Sequence, residues 1–88
     1  MSWSLRFSEQ AEKELSKLDK SVQKSIKKYM AEVCALADPG ARGHSLTGPW
    51  AGFHRYRVGQ LRIIARLQNN IVTITIVTIG RRDSVYGA

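Results

Sequence analysis

Trp3, Leu5 and Phe7 alternate with Ser4 and Arg6, the period of a half-buried strand. The pattern then changes to helical spacing. Ser8 can cap a helix whose positive end carries Glu9 and Glu12, and Ala11, Leu15 and Leu18 form its apolar side. Asp19 offers a second cap, and Val22, Ile26, Met30, Val33 and Leu36 share one stripe with Tyr29 at its margin. Lys20, Lys24, Lys27 and Lys28 fall off that stripe. Cys34 sits within the apolar pattern and reads as core filling. Asp38-Pro39-Gly40 is expected to end the helix, so residues 8–37 read as a helical hairpin.

Gly40, Gly43, Gly48, Pro49 and Gly52 punctuate a loop. From Phe53 the period is two: Phe53, Arg55 and Arg57 share one face, and His54, Tyr56 and Val58 the other. Val58-Gly59-Gln60-Leu61 is a tight hairpin signal. Leu61 to Leu67 follows as a strand with Arg62, Ile64 and Arg66 on one face, and Gln68-Asn69-Asn70 forms the next turn. Ile71 to Ile79, rich in β-branched residues and apolar on both faces, reads as a central strand ended by Gly80. The expected fold is α+β, in the order β-α-α-β-β-β. The helical hairpin packs on one face of a small, mainly antiparallel twisted sheet. Burying several arginines beneath helices would cost several kcal/mol for each uncompensated ion. They are therefore expected to point away from the helices or to lie at the sheet edge.

Length and composition fit this picture. The 88 residues suit one domain over 1–88, and 43% are apolar, as in a globular chain. No apolar run approaches the roughly 20 residues of a membrane span, and the start lacks a secretory h-region. Cys34 stands alone and cannot form an internal disulfide. These features point to the cytoplasm. Charge changes the picture more. Residues 1–39 carry seven basic groups against six acids, whereas residues 40–88 carry seven arginines against Asp83 alone and no lysine. One-signed charge over half a small domain attracts polyanions, and the arginine fork fits phosphate oxygens.

Arg55, Arg57, Arg62, Arg81 and Arg82, with Tyr86, are expected to gather where neighbouring strands meet. Such a cluster would neutralise charge on a phosphorane and stack a splayed RNA base. Two histidines and one acid in the second half argue against a divalent-metal site there; neither a Ser-His-Asp arrangement nor a P-loop occurs. RNA cleavage here would use the substrate's own 2′-hydroxyl, with no metal or cofactor. The bland alternatives are also open. His54 can be a packed histidine, His44 an incidental loop residue, Trp50 a cover for the core edge, and Arg66 a guard against edge pairing. Arg81 can contact phosphate or pair with Asp83.

The stretch Leu46-Thr47-Gly48-Pro49-Trp50-Ala51-Gly52-Phe53-His54-Arg55-Tyr56-Arg57-Val58-Gly59-Gln60-Leu61-Arg62 and the ending Gly80-Arg81-Arg82-Asp83-Ser84-Val85-Tyr86 resemble the RelE/ParE superfamily of toxins from toxin–antitoxin systems. The resemblance covers essentially the whole chain. It implies a RelE-type endoribonuclease that cleaves messenger RNA in the ribosomal A site and inhibits translation. It also implies a RelB-like antitoxin as partner and operator DNA reached only through the antitoxin complex. Arg55 and Arg57 match the basic pair on the second strand, Arg62 the arginine that stabilises the transition state, and Arg82 the one that protonates the leaving oxygen. Tyr86 matches the tyrosine that stacks on the base or helps deprotonate the nucleophile; Arg66 and Arg81 are further RNA contacts. The best-studied RelE sites have lysines where this chain has Arg55 and Arg57. Arginine keeps its proton, so the base would be Tyr86 or, second, His54. The sequence ends two residues after Tyr86, and the short C-terminal helix of some relatives is not expected. The same superfamily includes the ParE branch, which implies a non-nuclease DNA gyrase inhibitor as the alternative.

Overall fold

The computed structural model describes residues 3–81. Strand β1 (Ser4–Phe7) leads into helices α1 (Glu9–Ser16) and α2 (Lys20–Cys34). Ser8 caps α1 in an extended conformation, its Oγ accepting from the Ala11 amide at 3.0 Å while donating to the Val77 carbonyl at 2.9 Å. One hydroxyl thus starts the helix and ties it to the far end of the chain. Asp19 precedes α2 but makes no side-chain capping bond; Gln23 ties the helix back to the connection before it, its Nε2 donating to the Leu18 carbonyl at 2.9 Å. The hairpin forms as the periodicity predicts, with one correction. Helix α2 stops at Cys34, before Leu36, and the Trp3 amide donates to the Cys34 carbonyl at 2.8 Å. Pro39 does not end α2. It opens a separate turn, α3 (Pro39–Arg42), because its fixed φ and missing N–H suit a first helical position.

The loop after α3 contributes a two-residue strand, β2 (His44–Ser45), which the sequence pattern did not signal. Strands β3 (Phe53–Val58), β4 (Leu61–Gln68) and β5 (Thr73–Arg81) complete a sheet of order β1-β5-β4-β3-β2. All neighbours are antiparallel except β1 and β5, which the helical crossover makes parallel. The expected fold class is therefore the observed one, and β5 is the interior strand that its residues predict. It begins two residues late. Asn69–Ile71 form a 3-10 turn, Val72 takes a left-handed φ of 49°, and Ile71 is left 55% exposed.

The helices pack on one sheet face. Ala11, Leu15, Ile26, Met30 and Val33 meet Tyr56, Ile63, Ala65, Ile74, Ile76 and Ile79, and Cys34 is buried with them. Between Ile64 and Ala65 the β4–β5 register shifts: Ile64 faces Thr78 while Ala65 faces Ile76. Val77 is the extra residue of a bulge. Strand β1 ends opposite Ile76, so among the described residues the rest of β5 has no strand neighbour on that side. Helix α1 covers it. Glu14 Oε1 accepts from the Ile79 amide at 2.8 Å and from the Thr78 hydroxyl at 3.0 Å. The carboxylate stands in for the missing strand, which would otherwise leave backbone donors unsatisfied.

Candidate functional site

The β3–β4 hairpin turns on Gly59 and Gln60, and Gly59 has the positive φ (59°) that a two-residue hairpin needs at its first position. Tyr56 decides which side is which. It is 1% exposed, and its hydroxyl donates to the Pro39 carbonyl at 2.9 Å. Burial, then the nearby Tyr29, Cys34 and Asp38, push its phenol up to about 12. With Tyr56 fixed in the core, period two sends Phe53, Arg55 and Arg57 to the face opposite the helices.

On that face the register makes Arg57 the direct partner of Arg62, Arg55 the partner of Ile64, and Phe53 the partner of Arg66. Ile64 is completely buried and forms an apolar floor beside the guanidinium groups. At the hairpin end Arg57, Gly59, Gln60, Leu61 and Arg62 line an open hollow of about 380 Å³. On the other side of Arg62 the register places Gly80, which carries no side chain. Two guanidinium groups in directly opposite cross-strand positions repel each other. An anion seated between them turns that repulsion into two sets of forked N–H donors on one oxygen cluster. The described lining residues supply charge and hydrogen-bond donors, but no side chain able to accept a proton near neutral pH.

Other sequence-predicted residues fall in different places. Arg66 lies on the same face four positions along β4, its guanidinium 5.4 Å from the Phe53 ring centroid; Phe53 in turn meets the Trp50 ring edge-on at 5.5 Å. Trp50 therefore packs on Phe53. Strand β4 is interior, so Arg66 does not guard a sheet edge. Arg81 faces Leu61 across the β4–β5 pair, on the parity of the core. It lines a separate groove of about 590 Å³ with Lys17, Leu18, Val22 and Val58, so among the described residues the arginines that meet come from two segments, β3 and β4. His54 also takes the core side, with Nδ1 buried and lacking a hydrogen-bond partner and the ring against Gly40. It faces away from Arg57 and Arg62, which removes it as their proton acceptor. Cys34 is 6% exposed and burial pushes its thiol up, as expected of core filling. Arg82 and Tyr86 lie outside the described residues. Among the described residues, no helix is long and apolar enough to cross a membrane.

Over residues 5–86 the chain matches the ParE toxins of type II toxin–antitoxin systems. It belongs to that family. This family toxin also has the fold of solved RelE proteins. A RelB–RelE toxin–antitoxin complex from Mycobacterium tuberculosis shares 22% identity over 93% of this chain and 100% of that one, with a TM-score of 0.83. The isolated RelE toxin of Escherichia coli shares 25% over 98% of this chain and 93% of that one, at 0.74. An archaeal RelE–RelB complex from Pyrococcus horikoshii shares 19% over 97% and 100%, also at 0.74. No curated protein sequence matches closely enough to count as a relative. The RelE/ParE resemblance read from the hairpin and tail motifs is thus borne out, and the chain is a toxin of a type II toxin–antitoxin system with a RelE-like fold.

Proposed function

We propose that this toxin cleaves messenger RNA in the ribosomal A site without a metal, using the substrate's own 2′-hydroxyl. The observation that carries the reading is the Arg57–Arg62 pair at the mouth of one hollow. The 2′-oxygen attacks the adjacent phosphorus, its proton leaves to a base, and the P–O5′ bond breaks. The products are a 2′,3′-cyclic phosphate and a protonated 5′-hydroxyl. Arg62 and Arg57 hold the two non-bridging oxygens as charge builds on them, the kind of preorganised stabilisation that carries most of such catalysis. Arg55 and Arg66 extend the cationic face along β3 and β4 and guide the backbone. Arg81 is a more distant RNA contact near the end of β5. By resemblance, Arg82 donates the proton to the leaving oxygen and Tyr86 is the remaining candidate for base or base-stacking partner. The ribosome contributes what the lining lacks, a substrate already held in a cleavable conformation.

In this reading the toxin acts in the cytoplasm, where a RelB-like antitoxin holds it inactive; operator DNA is reached only through that complex. RelE proteins of like fold have been solved with RelB. Inducing the toxin and mapping message 5′ ends by primer extension tests the proposal. Cuts within ribosome-bound codons are expected, and Arg62→Ala, with the fold intact, should lose them. The family match favours a second reading, poisoning of DNA gyrase. Under it, DNA supercoiling fails before protein synthesis after induction and no message cuts appear.

A further inference from the structure

A second basic hollow lies on the outer flank of β3. Strand β2 pairs only with Arg55 and His54, so among the described residues the edge beside Arg57 has no strand neighbour. Tyr29, Arg42, His44, Arg55 and Arg57 line a hollow of about 180 Å³ there. The frame is anchored at several points. The Tyr56 hydroxyl holds α3 through the Pro39 carbonyl at 2.9 Å. Gly43 passes so close to the sheet that a Cβ would sit 2.8 Å from the Arg55 carbonyl oxygen and the Tyr56 ring, which fixes where its neighbours Arg42 and His44 project. Arg42 Cζ stacks 5.6 Å above the Tyr29 ring centroid, and its Nη1 is 4.0 Å from Glu32 Oε1. That exposed ion pair is worth little, and among the described residues no acid lines the hollow itself.

We infer that this hollow seats a second phosphate of the same RNA strand, the one flanking the phosphodiester held by Arg57 and Arg62. Arg57 lines both hollows, so the two seats are consecutive along one cationic track. Arg42 and Arg55 offer forked donors, and His44 keeps an N–H donor in either protonation state. This continuity favours an RNA backbone over an acidic peptide. The inference rests on the nuclease reading and deepens it. The flanking seat fixes the strand's register so that the scissile phosphate falls at Arg62.

The test uses uncleavable 2′-O-methyl RNA oligomers, a dinucleotide with one phosphodiester and a tetranucleotide, titrated against the purified toxin by fluorescence anisotropy over a range of salt. Arg42 and His44 are both exposed, so Arg42→Ala/His44→Ala should remain folded, which a thermal melt checks. The wild type is expected to bind the tetranucleotide more tightly than the dinucleotide. The double variant should lose most of that gain, with a salt slope shallower by about 0.7 for the lost phosphate, and should bind the dinucleotide as the wild type does. Arg62→Ala should weaken both lengths. A double variant that keeps the full gain with length overturns the second seat and leaves the nuclease reading standing. So does one that loses binding only to an oligoglutamate peptide, which would mark the hollow as a peptide seat. Failure of the wild type to bind either oligomer overturns the second seat, while the nuclease reading stands or falls on the message cuts mapped by primer extension.

Discussion

Replacing Arg57 by glutamine should make the protein more stable while weakening its hold on phosphate. Arg57 is exposed and directly opposite Arg62, and cross-strand partners have Cβ atoms about 5 Å apart. If the charged heads splay to about 7 Å, their bare repulsion is about 0.6 kcal/mol in bulk water and severalfold more at the effective dielectric of a protein surface. Salt at physiological strength, with a Debye length of about 8 Å, removes over half of it. The result falls within the roughly 0.2–1 kcal/mol typical of cross-strand pairs, or about 1–8 °C for a domain of this size. The assay is a thermal melt of wild type and Arg57→Gln at low and high salt. Arg6→Gln serves as control, since it removes one charge from β1 opposite an uncharged Thr75. Arg57→Gln should melt higher than wild type at low salt by more than the control does, and the gap should close at high salt. Adding the RNA oligomer should then raise the wild-type melting temperature more than the variant's. A variant that melts at or below wild type at low salt, or a gap indifferent to salt, would refute the idea that the two guanidiniums are held together against their repulsion.

The remaining predictions concern the scaffold that aims those arginines. Glu14→Ala strips the acceptor from the Ile79 amide and Thr78 hydroxyl and should cost about 2 kcal/mol, whereas Glu14→Gln keeps an oxygen there and should cost less than half as much; chemical unfolding and exchange of the Ile79 amide read both. Gly43→Ala drives a Cβ into the Arg55 carbonyl and Tyr56 ring and should destabilise by about 1–3 kcal/mol; an unchanged melting temperature would mean the loop shifts freely. Tyr56→Phe should cost about 1 kcal/mol near neutral pH through the lost bond to Pro39. The folded phenol is pushed up to about 12 against about 10 unfolded, so the tyrosine's stability is fully present below pH 10 and drains away towards pH 12. At pH 11 the wild type should therefore lose about 1 kcal/mol relative to Tyr56→Phe; a difference between the two that stays constant from pH 8 to 11 in urea unfolding would sink the assignment.

Much of this architecture is legible in the sequence because two periods carry it. The 3.6-residue stripe of Ile26, Met30 and Val33 and the two-residue alternation around Tyr56 each have one physical solution, since apolar positions must share a side and arginines cannot be buried beneath helices without large cost. That is why Arg55, Arg57 and Arg62 come out on the open face. Other features depend on partners far along the chain. Glu14 serves β5 across 65 residues, and in sequence it is one more charged residue on a short helix. The two-residue β2 has no period to detect, yet it turns His44 from an incidental loop residue into a neighbour of Arg55.

Arg81 shows most clearly how a local irregularity reaches the site. Counting by twos from the core residues Ile74 and Ile76 puts Thr78 on the core side and Arg81 outward, on the face that carries Arg62. The extra residue Val77 at the bulge resets the parity, so Ile79 is the next core residue and Arg81 follows it to the other face. The run masks such a slip because both parities offer apolar residues, Ile74 and Ile76 on one and Val77 and Ile79 on the other. The same slip puts Gly80 beside Arg62, where an unslipped strand would have placed the Ile79 side chain. The bulge thus turns Arg81 away from the arginine face, replaces an isoleucine beside Arg62 by a glycine, and leaves open the flank from which a phosphate can reach Arg62.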